Sequence, residues 1–328
     1  MNRQMQMSIG KATIEFSHEQ KMQDEFFQEV VQGLHGRPRR ISPKYFYDSK
    51  GAILFEEICE QPEYYPSTTE VEILETYAKE IAANINPNCI LIEPGSGSCE
   101  KIKMLMDEIR PAAYVPVDIS HEQLQSAASD VAATYSWLKV HAICADITAG
   151  ISLPDVLQAD RCLVFYPGSS IGNFDPEDAV EFMATLAAVA GQGGSLLIGV
   201  DLVKDHATLN AAYNDAKGVT AEFNLNLLHR INRELDADFD VEAFDHYAFY
   251  NEIENRIEMH LISTRVQDVS ISGHTFKFVA GDTIHTESSY KYTQDSFHAL
   301  AESAGFQPVN YWTDAAGLFG LYLLRVAD

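Results

Sequence analysis

The chain has little positive charge: its 328 residues include 23 Lys and Arg against 48 Asp and Glu, which gives a formal net charge of −25. Proteins that bind nucleic acid usually present a stripe of Lys and Arg to the phosphates, and the sequence contains no such stripe. We therefore expect no nucleic-acid partner, and the acidic surface favours solubility.

Long apolar segments are also missing. No stretch is long enough to cross a bilayer, and residues 1–5 lack the basic and then apolar pattern of a signal peptide. These absences predict a cytoplasmic protein without membrane contact, and we expect a monomer. The composition, with 46% hydrophobic and 22% charged residues and no repeat, is that of a globular protein of two average domains or one α/β domain with an insertion.

Patterns typical of disulfide frameworks and metal sites are absent too. The cysteines are an odd number and contain no Cys-x-x-Cys pair: Cys59, Cys89, Cys99, Cys144 and Cys162. Neither a disulfide framework nor a zinc site is indicated, so we expect reduced, mostly buried thiols. The histidines do not show His-Glu-x-x-His spacing, and we expect no metal.

What the sequence does contain, from residue 89 onward, is an alternation of short apolar runs and helical patterns, typical of βαβ units around a parallel sheet. Strands are predicted at residues 89–93, 113–119, 139–144, 161–166 and 195–202, and helices at 100–109, 121–134 and 176–190. Ser120 and Asp175 are predicted N-caps, with Asp178 at the capping-box spacing.

A different pattern follows the last of these strands. A long helical segment is predicted at residues 205–235, and β-rich stretches follow at 256–269 and 275–279. Apolar and polar residues alternate over 257–262, which indicates antiparallel strands with one exposed face and hence a second subdomain.

The two ends of the chain add further elements. A helix at 293–304 ends at Gly305 and precedes strands near 308–313 and 318–326, a helix and hairpin that typically close a Rossmann-like methyltransferase sheet. Upstream, an amphipathic helix is predicted around Phe26, Phe27, Val30, Val31 and Leu34, followed by an aromatic-rich loop from residue 43 to 66. The fold class is therefore α/β, with a C-terminal antiparallel hairpin and an inserted α+β domain.

The glycine loop after the first of these strands indicates a nucleotide-like cofactor. Gly95 and Gly97 stand between a strand and a helix, so that backbone N–H groups can approach a ligand, although a tight turn alone would also use them. Asp118 ends the next strand, where an acid can bind a ribose diol or can instead prepare the turn into the following helix. A dinucleotide fingerprint requires a third glycine where Glu100 stands, which favours S-adenosylmethionine over NAD.

Three further features leave alternatives open. Asp146 ends the following strand, where methyltransferases commonly contact adenine, but an acid there can equally cap a turn. Residues 168–172 read Gly-x-Ser-x-Gly, as in a hydrolase elbow around Ser170, yet the helix is delayed until Asp175 and the segment is predicted to be an open loop. The tyrosines of residues 45–48 and 63–66 are either site residues or packing with satisfied hydroxyls.

Long motifs in order along the chain carry a resemblance to one family. They lie at residues 43–48, 62–66, 93–101, 168–173, 201–205, 212–215 and 223–226. Together they resemble the histidine-specific Nα-methyltransferases of ergothioneine biosynthesis, over about residues 39 to 324. The resemblance implies an S-adenosylmethionine-binding methyltransferase domain at 67–202 and 286–328, and a substrate-binding domain at 12–66 and 203–285, with histidine between them.

The resemblance also implies roles for individual residues. Cofactor contacts fall on Gly95, Lys101, Asp118, Asp146 and Ile147. Tyr47, Tyr64, Asn173 and Tyr213 correspond to residues that hold the carboxylate and amine of the substrate, and Tyr64 and Asn173 would orient the attacking amine. Glu287 and Ser289 correspond to the pair that hydrogen-bonds the imidazole, and Met259 to a wall of the pocket.

The implied reaction is methylation of the α-amine of histidine up to the trimethylated betaine, hercynine. Only the neutral amine can attack, and an α-amino group has a reference pKa of about 8, so the site must bind the deprotonated form. Since the cofactor carries the difficult chemistry, positioning of the amine is the main task of the protein. The alternatives are a methyltransferase for another aromatic amino acid and, in a different class, a non-catalytic cofactor-binding sensor.

Overall fold

The computed structural model describes residues 5–9, 12–16, 19–145 and 162–327, with side chains from residue 24 onward within these ranges. The contacts divide the chain into two compact units. Unit 1 comprises Met1–Ser17, Pro66–Val203 and Tyr292–Asp328, and unit 2 comprises His18–Tyr65 and Lys204–Lys291.

The elements follow one another in this order. The strands are β1 Met5–Ile9, β2 Ala12–Phe16, β3 Arg39–Arg40, β4 Ile90–Pro94, β5 Ala113–Asp118, β6 Lys139–Cys144, β7 Cys162–Tyr166, β8 Ser195–Asp201, β9 Phe244–Asn251, β10 Arg256–Ser263, β11 Gln267–Ile271, β12 His274–Phe278, β13 Thr283–Tyr290, β14 Phe306–Thr313 and β15 Phe319–Val326. The helices are α1 Glu19–His35, α2 Ser49–Cys59, α3 Tyr65–Ala83, α4 Glu100–Ile109, α5 His121–Thr134, α6 Pro176–Ala190, α7 His206–Ala212, α8 Val219–Glu234 and α9 Gln294–Ser303, with 3-10 turns at Pro43–Phe46, Ser170–Asn173 and Val241–Ala243.

A nine-stranded sheet forms the centre of unit 1, in the order β1-β2-β6-β5-β4-β7-β8-β15-β14. The parallel strands of this sheet are β2, β6, β5, β4, β7 and β8. Strands β15 and β14 close the sheet as an antiparallel hairpin. Chain order reverses at β4, which lies between β5 on one side and β7 on the other. In such sheets ligands bind beyond the carboxyl end of the strand where the order reverses, which here is the glycine loop after β4.

Continuous apolar sequence made these strands predictable. Every residue of β4, β7 and β8 is buried, as expected for parallel strands covered on both faces. The predicted α/β class with a Rossmann-like sheet and a C-terminal hairpin is confirmed, and α4, α5 and α6 have the predicted bounds. The predicted capping bonds are wrong: Ser120 and Asp175 occupy the N-cap positions but their side chains do not cap. The stability of these helices therefore comes mainly from burial of their apolar faces.

Unit 2 contains a four-stranded sheet in the order β3-β13-β10-β9 and the separate hairpin of β11 and β12. β10 is antiparallel to both β9 and β13, while β3 runs parallel to β13. Helix α8 packs against α2 and against strand β9. The alternation over 257–262 is imperfect, because Glu258 on the polar face is buried within an ion pair with Arg256 at 2.8 Å.

Several predictions for this part of the chain are wrong in detail. The loop predicted at residues 43–66 contains α2, and the helix predicted at 205–235 is divided into α7 and α8 by a turn that includes Gly218 at φ +77°. The stretch predicted at 256–269 is two strands, β10 and β11. Strands β1, β2, β9 and β13 and helix α3 were not predicted.

The boundaries of the units also differ from the predicted domains. β2 pairs with β6 in the central sheet, so residues 12–17 lie in unit 1, and all of β13 lies in unit 2 because it pairs with β10. Within the described ranges, no helix is both long and apolar enough to span a membrane.

Candidate active site

The glycine loop of unit 1 has the open backbone that a ligand requires. Gly95 and Gly97 have positive φ values of +64° and +49°, and a Cβ atom added to either would have no neighbour within 4 Å. The N–H groups of Gly95 and Ser96 donate to the carbonyl of Val117, at 2.7 and 3.1 Å, which holds the loop against the end of β5. The glycines therefore serve the turn and also leave space beside it.

Asp118 connects this loop to the start of α5. Its Oδ2 atom accepts the N–H of Gly97 at 2.9 Å, and Oδ1 accepts the N–H of Ser120 at 2.8 Å. Burial raises the pKa of Asp118, and these backbone hydrogen bonds lower it. A carboxylate has about four acceptor positions, so two backbone bonds leave room for a ribose diol. The structural and the cofactor-binding interpretation of Asp118 are thus compatible.

Lys101 is held by an acid that the sequence did not reveal. Lys101 Nζ lies 2.6 Å from Oε2 of Glu70, whose side chain is fully buried. The N–H of Gly168 donates to the same carboxylate, at 3.0 Å to Oε2. A Cβ added to Gly199 would lie 2.2 Å from Glu70 Oε1, so glycine is required there for the carboxylate to fit. Glu70 therefore joins α3, α4 and the loop after β7.

A second buried acid lies in the first strand of this site. Glu93 on β4 accepts a hydrogen bond from the phenol of Tyr114. Burial raises the pKa of Glu93 to about 8, opposed by the Tyr114 bond and by Lys101. The carboxyl is therefore mostly protonated at neutral pH, and it binds the Tyr114 phenol as a neutral group.

The loop after β7 is not a nucleophile elbow. Ser169 has φ +63° and its Oγ accepts the N–H of Asp201 at 2.8 Å, while Ser170 begins a short 3-10 turn that ends at Asn173. Helix α6 begins only at Pro176, as predicted. An elbow requires the helix to start at the nucleophile, so hydrolase chemistry through Ser170 is not supported. Asn173 lies partly buried at the end of this turn, within unit 1.

Two predicted cofactor contacts, Asp146 and Ile147, lie outside the described residues. Their roles stay predictions.

In unit 2 the predicted tyrosines lie in a chain of aromatic rings. The centroid of Tyr47 lies 5.6 Å from that of Phe55, Phe55 lies 6.3 Å from Tyr64, and Tyr64 lies 6.1 Å from Tyr213, all edge to face. Helix α2 contributes Phe55, a residue that the sequence analysis did not single out. Edge-to-face contacts hold the phenol rings in fixed orientations.

Asp48 fixes the segment that carries Tyr47. Its Oδ1 atom accepts the N–H of Gly51 at 2.7 Å, which caps α2, and also the side-chain amide of Asn226 on α8 at 2.8 Å. Arg233 binds Oδ2 at 2.5 Å. A single carboxylate thus positions the start of α2 on α8.

The remaining predicted residues lie on two paired strands of the same unit. Met259 on β10 is opposite Glu287 on β13, and a bulge follows directly after Met259. Glu287 and Ser289 are two residues apart on one strand, so their side chains leave the same face. Ser289 Oγ accepts the phenol hydrogen of Tyr213 at 2.8 Å. The structure therefore brings Met259, Glu287, Ser289 and Tyr213 together.

Burial shifts the pKa values of two residues in this cluster, Glu287 and Tyr64. Burial raises the pKa of Glu287 to about 7, while Lys291 lowers it. Burial also raises the pKa of Tyr64 well above its usual range, with a further contribution from Tyr213. Tyr64 is therefore a neutral phenol at any working pH, and Glu287 can switch between acid and carboxylate near neutrality.

A group with metal-ligand chemistry lies on the same sheet. Ligand atoms of Glu258, His260 and His285 lie within 4.8 Å of one another, the one such group among the residues that the structure describes. Glu258 is already bound by Arg256 at 2.8 Å and by His260 at 3.0 Å. Burial lowers the pKa of His285 to about 4. An ion-pair network accounts for the group, and the absence of a metal stays a prediction.

The sequence pattern of one protein family, described as a histidine-specific, S-adenosylmethionine-dependent methyltransferase, matches residues 26–326. The chain belongs to this family. It is 42% identical to the Histidine N-alpha-methyltransferase of Mycolicibacterium smegmatis over 302 residues, which are 90% of this chain and 93% of that protein. The protein of the same name from Mycobacterium tuberculosis is 41% identical over the same shares. The Ergothioneine biosynthesis protein 1 of Neurospora crassa is 32% identical over 88% of this chain and 33% of that protein.

Membership of this methyltransferase family confirms the resemblance and the dependence on S-adenosylmethionine that the sequence predicted. The roles of the individual residues stay proposals. The sequence analysis missed Glu70, Phe55 and Lys291, which contact predicted site residues. Only Lys291 had a signal, because it stands two residues after the predicted site residue Ser289.

Proposed function

We propose that this methyltransferase transfers methyl groups from S-adenosylmethionine to the α-amino nitrogen of L-histidine, up to the trimethylated betaine. The observation that carries the proposal is the cluster of Glu287 and Ser289 on one face of β13, opposite Met259 on β10. This cluster offers one carboxylate and one hydroxyl beside an apolar wall, which suits an imidazole. The names of relatives that are 41 and 42% identical point to the same substrate.

The residues of unit 1 fit the cofactor. The open backbone at Gly95 and Gly97 leaves room for a ligand, and Asp118 retains acceptor positions for a ribose diol. Lys101 is fixed at the start of α4 by Glu70. Asp146 and Ile147 would complete the adenine side of the site. Bound S-adenosylmethionine supplies an electrophilic methyl group.

The substrate amine is the group that the protein must prepare. It attacks only as the neutral form, and because its reference pKa of about 8 lies above neutrality, the site must bind the minority deprotonated form. Tyr64 stays a neutral phenol, so it acts through hydrogen bonding and does not take the proton as a phenolate. Tyr64 and Asn173 orient the amine, while Tyr47 and Tyr213 hold the carboxylate. Holding the reacting atoms in line can supply on the order of 7 to 11 kcal/mol in well-oriented systems.

The aromatic chain suits the product as well as the substrate. The rings of Tyr47, Phe55, Tyr64 and Tyr213 follow one another at centroid distances of 5.6 to 6.3 Å. The faces of such rings attract a quaternary ammonium group, with about 0.5 to 2 kcal/mol for each good contact. These rings therefore tolerate the growing positive charge of the methylated nitrogen.

One incubation tests the proposal. The purified protein is mixed with S-adenosylmethionine and, separately, with histidine, tryptophan, tyrosine and phenylalanine, and products are analysed by mass spectrometry. We expect one, two and three added methyl groups on histidine and little product from the others. Glu287→Ala should reduce the preference for histidine, while Glu254→Ala, an exposed acid in the turn before β10, should leave it unchanged.

The other outcomes identify the alternatives. Product from tryptophan or tyrosine in place of histidine would assign the enzyme to another aromatic amino acid. Tight binding of S-adenosylmethionine without turnover of any amino acid would favour a non-catalytic sensor. The monomeric state and the cytoplasmic location stay predictions from the sequence.

A further inference from the structure

A buried lysine lies directly beside the proposed imidazole-binding pair. Lys291 follows β13 and is only 3% exposed. Its Nζ atom donates to Ser289 Oγ at 2.8 Å and to Tyr213 Oη at 3.1 Å, and it lies 5.0 Å from the centroid of the Tyr213 ring. The three side chains form a closed triangle, because the phenol of Tyr213 also donates to Ser289 at 2.8 Å.

The hydrogen-bonding capacity of these groups restricts what they can offer a ligand. An ammonium group only donates, whereas a hydroxyl has one hydrogen to donate and accepts through its lone pairs. Lys291 therefore occupies lone pairs on both oxygen atoms. Ser289 accepts from two donors, so its own hydrogen is the group that remains for a ligand. When a substrate carboxylate takes the hydrogen of Tyr213, Lys291 still donates to Ser289 and still occupies a lone pair of Tyr213 Oη, so the hydrogen of Ser289 stays available for the ring.

We propose that Lys291 is a positioning residue that makes Ser289 a hydrogen-bond donor toward the bare nitrogen of the substrate imidazole. This inference rests on the proposed function. With Glu287 accepting from the other ring nitrogen, the pocket presents one donor and one acceptor. A neutral imidazole has one N–H group and one bare nitrogen, so it satisfies both. An indole or a phenyl ring has no bare nitrogen and would leave the Ser289 hydrogen unpaired.

The charge of Lys291 also affects the pKa of Glu287, the second residue of the proposed imidazole-binding pair. Lys291 lowers the pKa of Glu287, which burial alone would raise further. Tyr64, which is neutral, also lies near Glu287. Without the ammonium, Glu287 would be protonated over a wider pH range and would accept less well from an N–H group. The same residue thus maintains the donor at Ser289 and the acceptor at Glu287.

The test compares three variants of the pocket with a matched surface control. Lys291→Met removes the charge and the donors, Lys291→Arg keeps both, and Ser289→Ala removes the hydroxyl alone. Lys277→Met changes an exposed lysine on β12 of the same unit. The assays measure kcat and KM for histidine and for β-(2-thienyl)alanine, a ring analogue without nitrogen, from pH 6 to 9 (about the range where Glu287 titrates).

We expect Lys291→Met to lower kcat/KM for histidine about 10- to 100-fold, mainly through KM, with little effect on the thienyl analogue. The acid limb of the histidine profile should move to higher pH in Lys291→Met. Ser289→Ala should also lose the preference for histidine over the thienyl analogue. It should not move the acid limb, because the charge of Lys291 is retained. Lys291→Arg should recover part of the loss, and Lys277→Met should match the wild type. Binding of S-adenosylmethionine, measured by calorimetry, should be unchanged in all of them.

Two results would overturn the inference in different ways. If the wild type methylates histidine and Lys291→Met keeps both its preference and its pH profile, Lys291 is not a positioning residue while the proposed function stands. If Lys291→Met does not fold, Ser289→Ala provides the test. An unchanged preference of Ser289→Ala for histidine over the thienyl analogue would also show that Lys291 does not act through Ser289. A wild-type protein that neither binds nor methylates histidine would overturn the proposed function and this inference together.

Discussion

The carboxylate of Glu70 lies 2.6 Å from the ammonium of Lys101, and its side chain is fully buried. The same carboxylate accepts the N–H of Gly168. Three segments that are far apart in sequence therefore meet at one acid: helix α3, the first turn of α4 after the glycine loop, and the loop after β7. Burying the Glu70 carboxylate is tolerated because Lys101 and the Gly168 N–H both bind it. Without these partners, a buried carboxylate would be strongly destabilising.

Replacing Glu70 should disturb the cofactor half of the site. Glu70→Gln retains the shape but removes the negative charge 2.6 Å from Lys101, so we expect unfolding to become easier by about 2 to 4 kcal/mol. Affinity for S-adenosylmethionine should fall about tenfold because the start of α4 is no longer fixed. Thermal unfolding and calorimetry measure the two effects.

The matched control for Glu70 is Glu72→Gln, since Glu72 is an exposed acid on the same helix. It should change neither stability nor affinity. A Glu70→Gln protein with the Tm and the cofactor affinity of the wild type would show that the ion pair positions nothing.

Asp118 offers a test of the glycine loop. In Asp118→Asn one of the two backbone N–H groups, from Gly97 or Ser120, would face an amide N–H in place of an acceptor. We expect the affinity for S-adenosylmethionine to fall about 10- to 100-fold, since both the loop and the ribose lose an acceptor. Asp107→Asn, an exposed acid on α4, serves as the control in the same calorimetric titration. Equal affinities of the two variants would exclude a cofactor role for Asp118.

The raised pKa of Glu287 makes the stability of the free protein depend on pH. Because the folded-state pKa is about 7 and the ordinary value is 4.5, the folded protein binds the proton more tightly than the unfolded chain. The contribution of Glu287 to stability therefore falls as pH rises from about 4.5 to about 7, by at most about 3 kcal/mol, and is constant above.

Glu287→Gln isolates this effect. The difference in unfolding free energy between the variant and the wild type should increase in favour of the variant as pH rises through this window. Denaturant unfolding at pH 5, 6, 7 and 8 (about one unit apart across the transition) measures it. Glu254→Gln should give a difference that does not change with pH, and a flat difference for Glu287→Gln as well would place its pKa at an ordinary value.

Tyr64 should act through its hydroxyl without titrating. Burial raises its pKa well above the usual range, so Tyr64→Phe removes a hydrogen-bonding group and no ionisable one. We expect kcat/KM for histidine to decrease about 10- to 100-fold while the alkaline limb of the pH profile stays in place. Tyr247→Phe, at an exposed tyrosine of β9, is the control. Movement of the alkaline limb in Tyr64→Phe would instead show that the Tyr64 phenol titrates in the wild type and is needed in its protonated form.

Local sequence was sufficient to predict those strands and helices whose own residues form a distinctive hydrophobic pattern. Strands β4, β5, β7 and β8 were predictable within two residues because parallel strands buried on both faces are nearly continuous apolar runs, whereas β6 alternates buried and less buried residues. Asp118 and the glycine loop were predictable because the order of strand, loop and helix places them at adjacent strand ends. Helix α2 was missed, although Asp48 caps it, because the aromatic residues on either side of it suggested a binding loop.

Two units built from separate parts of the chain show where local pattern is insufficient. Strand β2 joins the central sheet beside β6, more than a hundred residues later in sequence. Strand β13 belongs to the sheet of unit 2 because it pairs with β10 and β3. Such pairings depend on which sheet edge is available after the rest has folded, and no periodicity in a short segment encodes that.

The sequence by itself determined the α/β class, the alternation of strands and helices from β4 to β8, the glycine loop and, through motif resemblance, the family. Only the tertiary structure showed that Glu70 holds Lys101 and Gly168, and that Lys291 binds Ser289 and Tyr213. The physical reason is that secondary structure follows from residues a few positions apart, whereas the partner of a buried charge is decided by packing. Glu70 and Lys291 are buried where desolvation makes a partner obligatory.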